Sequence, residues 1–503
     1  MPVLAAIDVG SNAIRLLICN VDGDRRTTIL ESVRDPIRLG GDVFTTGLVS
    51  EVSIDRAAEA FVRFRGLIDK HGARWIRGVA TSAIREALNK DLFLDRIAQA
   101  SGIEISVIGC EEEARLIHLA VISKINLKGM SALLVDIGGG SAEVTLTDNG
   151  NIISTECFRM GAVRLLQLLE EKERGQQLFH RMVSEYVDAT QKRVRKELGG
   201  QTIDLLVGTG GNIEALGELR RSLLVRDRNS VLSGGELDSL VRKLQSMTLE
   251  ERIRELQLRP DRADVIVPAA MVLQKFVKLA GVSEIQIPGV GLKDGLLADM
   301  IRELHGEKTH TSRDQVITSA IQLGRKYLFD EQHALTTARL AVKLFDETKP
   351  LHNLSLDYRL LLEAAALLHD IGQFVNVIDH HKHTQYLLEA SPVIGLDESQ
   401  MAIVGNVARY HRKSLPKPQH ELYRALSSKN RVVVSKLAAI LRLADAMDNE
   451  HGAKVQDFAA EYKKPKFTIK LQGEGDLLLE KWALMKKAAM FEEIFSLKLL
   501  VQD

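Results

Sequence analysis

Residues 132–141, ALLVDIGGGS, combine an apolar run with a glycine-rich turn, and this pattern is the main evidence for the fold. The apolar run from Ala132 to Val135 predicts a buried strand, and the aspartate after it leads into three consecutive glycines. Residues 3–12, VLAAIDVGSN, show the same design, and an apolar segment follows each of the two turns. This internal repeat predicts two related α/β halves, 1–128 and 129–305.

The pattern changes after the second half. Residues 306–312 are polar and predict a linker, and the helical periodicity that follows predicts an all-α domain over 306–454. Residues 455–503 read as a small α/β appendage, with a strand near Phe467 to Leu471 and a helix over Lys481 to Phe495. The predicted fold class is therefore α/β followed by an all-α domain.

Composition narrows the classes of function. The 503 residues are 45% apolar and have a formal net charge of 0. The molecule as a whole therefore has no net positive charge that would attract polyanions. Three scattered cysteines argue against a disulfide framework and favour a reducing compartment. The chain shows no signal peptide and no apolar run of about 20 residues, so we expect a cytoplasmic protein without a membrane partner.

One region is locally basic. Residues 401–470 hold 14 Lys and Arg against 6 Asp and Glu, an excess of eight positive charges. Such a region attracts a polyanion, although a solvated charged surface has the same composition. Few aromatic side chains accompany these cations, which suits a flexible polyanion without bases to stack, so we do not expect nucleic acid as the partner.

The glycine-rich turns suit phosphate chemistry. Glycine lets backbone N–H groups approach phosphate oxygens, and an aspartate at the end of a strand can hold Mg²⁺ directly or through water. A third such loop, 208–212 (GTGGN), follows the apolar strand Leu205 to Val207. Three loops in this order resemble the phosphate and adenosine motifs of the actin-like ATPase superfamily. That resemblance implies two ribonuclease-H-like domains flanking a cleft.

Further motifs narrow the resemblance to one family, the exopolyphosphatases and guanosine pentaphosphate phosphohydrolases (Ppx/GppA). Six segments follow that family's order, and together they are far more specific than any one of them. They are 6–12 (AIDVGSN), 79–87 (VATSAIREA), 109–117 (GCEEEARLI), 136–143 (DIGGGSAE), 159–164 (RMGAVR) and 291–295 (GLKDG).

The resemblance implies specific catalytic residues. In this family a glutamate activates water for attack on a terminal phosphate, and that position corresponds to Glu113, with Glu112 as the second choice within the glutamate triplet. The carboxylate would lie at a helix N-terminus, where acids are also common for structural reasons. Arg85 is the expected clamp on a phosphate oxygen, because a guanidinium can bind one bidentately.

The resemblance also implies a magnesium site and a phosphate track. Asp136 and Glu143 are the expected Mg²⁺-linked carboxylates, with Asp8 as a partner. The loop residues expected along the phosphates are Asp8, Gly10, Ser11, Asn12, Gly138, Gly139, Gly140, Ser141, Gly208, Gly210, Gly211 and Asn212. Asn212 stands where the family usually has threonine, so the resemblance supports its contact less directly than the others.

A second constellation lies in the helical region, where nine of the 14 histidines fall between His333 and His451. The order of His and Asp residues resembles the HD phosphohydrolase superfamily, which implies a second divalent metal. The candidate ligands are His333, His369, Asp370, His383, His411 and Asp445. Imidazole and carboxylate together suit Mn²⁺, Fe or Zn²⁺. In the phosphatase family this domain often lacks the full ligand set and serves dimerisation and binding of long polyphosphate.

These inferences predict an enzyme that uses Mg²⁺ to release terminal orthophosphate from inorganic polyphosphate or guanosine pentaphosphate, with a homodimer implied by the resemblance. A phosphotransferase of the actin-like superfamily is a second interpretation. A third is a non-catalytic sensor of guanosine tetra- or pentaphosphate or polyphosphate. An HD-type hydrolase would be a second activity on the same chain. Sequence alone leaves the choice between the two substrates open.

Overall fold

The fold is taken from a computed structural model. It describes residues 2–169, 202–223, 230–305, 313–391 and 393–502, with isolated positions between 178 and 192. The predicted linker, 306–312, lies outside the described residues. The chain forms two compact units, Met1–Thr309 and His310–Asp503, and each is described by itself.

A five-stranded sheet opens the first unit. Its order is β3-β2-β1-β4-β5, with β1 to β3 antiparallel and β4 and β5 parallel to β1. Strand β1 lies at the centre of this sheet, and all but its first residue are buried, as its apolar sequence predicts. The strands are Val3–Val9 (β1), Ile14–Val21 (β2), Thr27–Asp35 (β3), Trp75–Ala80 (β4) and Ile105–Val107 (β5), and the helices are Leu39–Thr46 (α1), Glu51–Lys70 (α2), Ser82–Glu86 (α3), Lys90–Ser101 (α4) and Cys110–Ile122 (α5).

A six-stranded sheet follows, in the order β10-β11-β9-β6-β7-β8. Its centre repeats the first sheet, with an antiparallel pair, β6 and β7, and a parallel neighbour, β9. The strands are Ser131–Ile137 (β6), Ala142–Asp148 (β7), Asn151–Phe158 (β8), Leu205–Thr209 (β9), Val231–Ser233 (β10) and Glu284–Gln286 (β11). The described helices are Ala162–Leu169 (α6), Gly211–Leu223 (α7), Gly234–Ser246 (α8), Leu249–Leu256 (α9), Pro260–Ala263 (α10), Ile266–Ala280 (α11) and Leu292–Leu304 (α12).

The shared topology explains the sequence repeat. In each sheet an apolar central strand carries an aspartate near its end, and a glycine turn leads into the antiparallel partner. The predicted α/β class is confirmed, and each predicted half contains one of the two sheets. Both halves belong to the same compact unit, so the two sheets are not separate bodies.

The second unit is mainly helical, and a three-stranded sheet, β12-β13-β14, completes it. Its elements are Arg313–Lys326 (α13), Glu331–Glu347 (α14), Lys349–His352 (α15), Asp357–Leu368 (α16), the 3₁₀ helix Ile371–Phe374, His380–Ala390 (α17), Glu398–Arg409 (α18), Glu421–Arg424 (α19), Ser428–Ala446 (α20), Val455–Lys463 (β12), Lys466–Gly473 (β13), Leu478–Lys487 (α21), Ala489–Phe495 (α22) and Lys498–Gln502 (β14). One hydrophobic core joins the helices to the strands, since Phe458, Phe467 and Phe491 are buried in the same cluster as Leu437 and Leu441. The predicted appendage therefore shares its core with the helices.

Two expectations differ from the structure. The helix expected over Lys481 to Phe495 is two helices, α21 and α22, which meet at Ala488. Cys110 and Cys157, expected to be unpaired, form a disulfide with their Cα atoms 6.1 Å apart. They are 47 residues apart in sequence, and only the approach of α5 to β8 brings them together.

The third cysteine, Cys19, is buried. Burial raises the pKa of its thiol to about 11. Within the described ranges, no helix combines the length and the apolar character needed to cross a membrane.

Candidate active site

The first and second glycine loops pack against each other at the floor of a cavity of about 310 Å³ in the first unit. A Cβ added at Gly139 would lie 3.0 Å from Cβ of Ser11 and 3.2 Å from the backbone N of Asn12. Within the described part of the chain, no acceptor pairs with the backbone N–H of Gly139 or Gly140. These donors are therefore available to an anion at the cavity floor.

Residues 161–163 hold the second glycine loop, 138–140, in place through backbone hydrogen bonds. The N–H of Gly161 donates to O of Gly140 at 3.2 Å, and the next two N–H groups donate to Gly138 and Gly139 at 2.9 and 2.8 Å. The backbones approach so closely that a Cβ on Gly161 would collide with Gly139 and Gly140. Only glycine fits, which gives a structural reason for the RMGAVR motif that contains it.

The third loop forms another side of the cavity. Gly210 has φ of +93°, and a Cβ there would lie 2.8 Å from O of Ile137. Asn212 is buried, and its Oδ1 accepts a hydrogen bond from Nη1 of Arg262 at 2.9 Å. Gly208 lies within β9, where it packs beneath Ile213, and it is absent from the described cavity lining.

The structure separates the two glutamate candidates. Glu112 is half-exposed and binds Arg115 through two hydrogen bonds of 2.7 and 2.8 Å. Glu113 lies in the first turn of α5, is buried, and lines the cavity. Burial raises the pKa of Glu113 to about 7, with a contribution from the negative charge of Asp136 and an opposing one from Arg85. A pKa near neutrality suits a general base.

Two more carboxylates lie on neighbouring strands. Asp136 on β6 is the register partner of Glu143 on β7, so strand pairing places them side by side. Burial raises the pKa of Asp136 to about 6, against a hydrogen bond of 2.7 Å from Oγ1 of Thr209. Burial and the charges of Glu113 and Asp136 raise the pKa of Glu143 well above its ordinary value. Asp8 lines the cavity and pairs with Nη1 of Arg15 at 2.8 Å.

These carboxylates fit a hard divalent cation. Oε2 of Glu143 is buried without a hydrogen-bond partner among the described residues, and the buried acids raise one another's pKa values, so a positive charge among them would be stabilised. Within the described ranges, no three of Asp8, Glu113, Asp136 and Glu143 have donor atoms within 4.8 Å of one another. Mg²⁺ keeps several of its waters in protein sites, so these carboxylates would not all need to contact such an ion directly.

Sequence reasoning missed a group of arginines. Four of them line the cavity, drawn from β2, β3 and the region of α10: Arg15, Arg34, Arg259 and Arg262. Burial lowers the pKa of Arg262 to about 10, and the other three arginines contribute. Mutually repelling guanidinium groups around a cavity are a signal of anion binding. Lys293 also lines the cavity, and it lies within the GLKDG motif quoted above.

Two predicted residues have other contacts than expected. Arg85 donates to O of Ile108 at 2.7 Å and lies 3.3 Å from Oε2 of Glu113, and it is absent from the described cavity lining. Its contact is therefore with the glutamate carboxylate. The Asn12 amide donates to O of Asp261 and accepts from Nε of Arg38, both at 3.0 Å, so this side chain fixes the loop.

The second unit brings most of its predicted ligands together. The described groups of close donor atoms include His333, His369 and Asp445 in one group, and His369, Asp370 and His411 in another. His383 belongs to none of these groups, and His380, three residues earlier on α17, contacts Asp370 instead. Helix α17 begins at His380, so its first turn faces the cluster.

Comparisons with known proteins agree with this geometry. A model of the Ppx/GppA phosphatase family matches residues 17–304, and a model of the Ppx/GppA phosphatase domain III matches residues 316–489. The guanosine-5'-triphosphate,3'-diphosphate pyrophosphatase of Vibrio vulnificus is 27% identical over 447 residues, 88% of this chain and 87% of that protein. The protein of the same name from Photobacterium profundum is 25% identical over 455 residues, 88% and 86% of the two chains.

Solved structures give the same result. An exopolyphosphatase from Cytophaga hutchinsonii is 26% identical with a TM-score of 0.55, covering 60% of this chain and 98% of that one. A Ppx/GppA family member from Aquifex aeolicus is also 26% identical, with a TM-score of 0.51 over 61% and 99% of the two chains. The family model covers more than half of the sequence. The chain therefore belongs to the Ppx/GppA phosphatase family and is a phosphoanhydride hydrolase.

Proposed function

We propose that the first unit releases terminal orthophosphate from inorganic polyphosphate or guanosine pentaphosphate, with Glu113 as the general base. The observation that carries the proposal is the buried Glu113 carboxyl, whose pKa is about 7, at a cavity built from glycine loops and arginines. A carboxylate with an ordinary pKa near 4 would be a weaker base for water at neutral pH.

Each group of residues around the cavity has a role in this proposed reaction. Glu113 accepts a proton from the attacking water, while the N–H groups of Gly139 and Gly140 hold oxygens of the terminal phosphate. Asp8, Asp136 and Glu143 would hold Mg²⁺, which neutralises phosphate charge when bound. The arginines around Arg262 bind the following phosphates of the substrate. Arg85 positions Glu113 and keeps its pKa from rising further.

The names of the relatives support both substrates. The curated relatives are named for guanosine pentaphosphate hydrolysis, and one similar solved structure is named an exopolyphosphatase. Both substrates end in a phosphoanhydride, so the same glutamate serves either. A homodimer and a cytoplasmic location remain predictions that rest on the sequence.

The test is phosphate release by the full-length protein with Mg²⁺, from long-chain polyphosphate and from guanosine pentaphosphate. We expect Glu113→Gln to lower kcat by about 10²- to 10⁴-fold. Glu112→Gln is the matched control and should retain most activity, because Glu112 binds Arg115 rather than facing substrate. Equal losses in both variants would contradict the assignment of the base.

The alternative interpretation is a sensor that binds these ligands without hydrolysing them. Single-turnover measurements separate the two, since a sensor binds ligand and releases no phosphate. Tight binding of guanosine pentaphosphate without phosphate release in wild type would favour the sensor and exclude the catalytic proposal. The buried, base-like Glu113 favours the enzyme.

A further inference from the structure

The disulfide of the first unit lies next to the carboxylates of the proposed magnesium site. Glu143 on β7 is the register partner of Asp136 on β6 and, on its other side, of Cys157 on β8. Directly opposed side chains of neighbouring strands lie on the same face of a sheet, so these three residues form one row across it. Helix α5 begins at Cys110, whose sulfur is bonded to that of Cys157. Glu143 therefore stands between a carboxylate and a pair of sulfurs.

The Glu143 carboxylate contacts one of these sulfurs and is only 2% exposed. Its Oε1 lies 3.5 Å from Sγ of Cys157. A sulfur within a disulfide carries no proton, so this contact is no hydrogen bond in the oxidised protein. The other carboxylate oxygen, Oε2, is buried and has no hydrogen-bond partner among the described residues. A cation would stabilise a carboxylate buried in this way.

Reduction of the disulfide would leave three metal ligands close together. One ligand atom from each of Cys110, Cys157 and Glu143 lies within 4.8 Å of the others. A thiolate and a carboxylate on one tetrahedral zinc ion, about 2.3 and 2.1 Å from it, have their donor atoms roughly 3.5 Å apart. The contact between Cys157 and Glu143 has this separation. Two thiolates on the same ion are about 3.8 Å apart, and freed sulfurs can reach that distance by side-chain rotation between Cα atoms 6.1 Å apart.

A reductant can reach this disulfide, because neither cysteine is buried. Exposed disulfides are the ones that are readily reduced. A dithiol supplies two electrons and two protons, so the S–S bond breaks, two thiols form, and the dithiol is itself oxidised to a disulfide. Thiolate ligands select Zn²⁺ over Mg²⁺, and a zinc ion that binds displaces the thiol protons into solvent. The reduced cysteine pair therefore favours a different metal from the one expected beside Asp136.

We propose that the reduced protein binds one Zn²⁺ ion at Cys110, Cys157 and Glu143, and that this ion inhibits phosphate release. Zinc holds the Glu143 carboxylate on the sulfur side of the row, so that this carboxylate is lost to Mg²⁺ beside Asp136. In the oxidised protein the two sulfurs are bonded to each other, and the zinc site does not form. The inhibition rests on the proposed function of the first unit, whereas zinc binding does not.

Cobalt binding tests the site independently of activity. Co²⁺ replaces zinc in sites of this kind, and a bound thiolate gives it an intense charge-transfer absorption band that imidazole and carboxylate ligands do not give. The full-length protein is reduced under nitrogen with a trialkylphosphine, which becomes the phosphine oxide as water supplies the oxygen. The reagent is removed, and CoCl₂ is added in the presence of excess Mg²⁺. We expect the band in reduced wild type, and ZnCl₂ should displace the cobalt and abolish it.

Oxidised wild type should show no band, and this comparison needs no substitution, so it stands even if a variant fails to fold. Reduced Cys157→Ser should also show none at the same cobalt concentration. Cys19→Ala removes the third, buried thiol and is the matched control, which should keep the band. Reduced Glu143→Gln should require at least about tenfold more Co²⁺. No band in reduced wild type, an equal band in Cys157→Ser, or unchanged cobalt affinity in Glu143→Gln would overturn the proposed site.

Phosphate release then tests the inhibition. In excess Mg²⁺, ZnCl₂ should slow release by reduced wild type at least about tenfold, whereas oxidised wild type and reduced Cys157→Ser should be little affected. Zinc that merely binds the substrate would slow all three proteins alike, so equal inhibition would overturn the regulatory part of the proposal. If wild type releases no phosphate even without zinc, the proposed function fails, and the cobalt measurement still decides whether the zinc site exists.

Discussion

Nη1 of Arg85 lies 3.3 Å from Oε2 of Glu113, and the same nitrogen donates to O of Ile108 at 2.7 Å. The guanidinium thus ties the first turn of α5 to the segment just before that helix. Its charge opposes the effect of burial on the Glu113 carboxyl. Arg85 therefore sets both the position and the proton affinity of the proposed base.

Removal of this guanidinium should shift the pH dependence of catalysis. Without the positive charge, the pKa of Glu113 rises above about 7, so a higher pH is needed to deprotonate the base. We expect the acid limb of kcat/KM in Arg85→Met to move to higher pH by up to about one unit. Arg96→Met, at an exposed arginine on α4, is the control. An unshifted limb would show that Arg85 does not tune the base.

The Glu113 carboxyl should also make stability depend on pH. Burial raises its pKa from 4.5 to about 7, so the folded state favours the protonated acid. The stabilisation of the folded state by this protonated acid is fully present below about pH 4.5 and is lost as pH rises through 7. The loss lowers the free energy of unfolding by about 3 kcal/mol. Glutamine cannot ionise, so Glu113→Gln should unfold at higher urea concentration than wild type at pH 8. The two proteins should differ little at pH 5, and a gap of equal size at both pH values would contradict this origin.

The glycine loop should not tolerate a side chain behind it. A methyl group on Gly161 would collide with Gly139 and Gly140, whose backbone N–H groups are the proposed phosphate donors. We expect Gly161→Ala to lower kcat/KM by at least about 100-fold, because small displacements of catalytic groups have effects of that size. Gly66→Ala, at an exposed position of α2 with open space around its Cβ, should leave activity unchanged and slightly raise stability. Full activity of Gly161→Ala would rule out the proposed cradle.

The buried Arg262 should contribute to substrate affinity. It donates to Asn212 and lies near three other arginines, so an anion relieves their mutual repulsion. We expect Arg262→Met to raise KM about tenfold or more, with a smaller effect on kcat. The dependence of KM on salt concentration should also weaken, because one phosphate contact is lost. The exposed Arg254 gives the control Arg254→Met, which should match wild type.

The disulfide should be measurable by labelling and by unfolding. Cys110 and Cys157 close a loop of 47 residues. Because the bond restricts the unfolded chain, we expect it to raise the free energy of unfolding by about 4 kcal/mol. Urea-unfolded protein should incorporate one equivalent of iodoacetamide without reductant, at Cys19, and three after reduction. Reduction should lower the urea midpoint of wild type but not of Cys157→Ser. Three labels without reductant would show that the bond does not form.

Sequence patterns were sufficient for the strands on either side of the first two glycine turns, because each apolar run ends in Asp-x-Gly and a second apolar run follows. They did not predict β3 or β8, the outer neighbours of those strand pairs. They could not choose between Glu112 and Glu113, since the choice depends on which carboxyl Arg115 binds. The arginines of the cavity come from β2, β3 and residues 259–262, which only the folded sheets bring together. The pattern favoured His383 over His380 because sequence does not show which face of α17 meets the cluster.

The strands after residue 454 share one hydrophobic core with the helices of the second unit, so the two parts cannot be separated without exposing that core. Lys487, on α21, pairs with Asp445, on α20, and the strands beyond residue 455 are buried against the helices. A truncation before Val455 would remove half of an ion pair at the histidine cluster and expose the apolar side chains that Phe458, Phe467 and Phe491 cover. We therefore expect the smallest fragment that preserves this histidine cluster to extend through β14, and the last 49 residues are not a dispensable module.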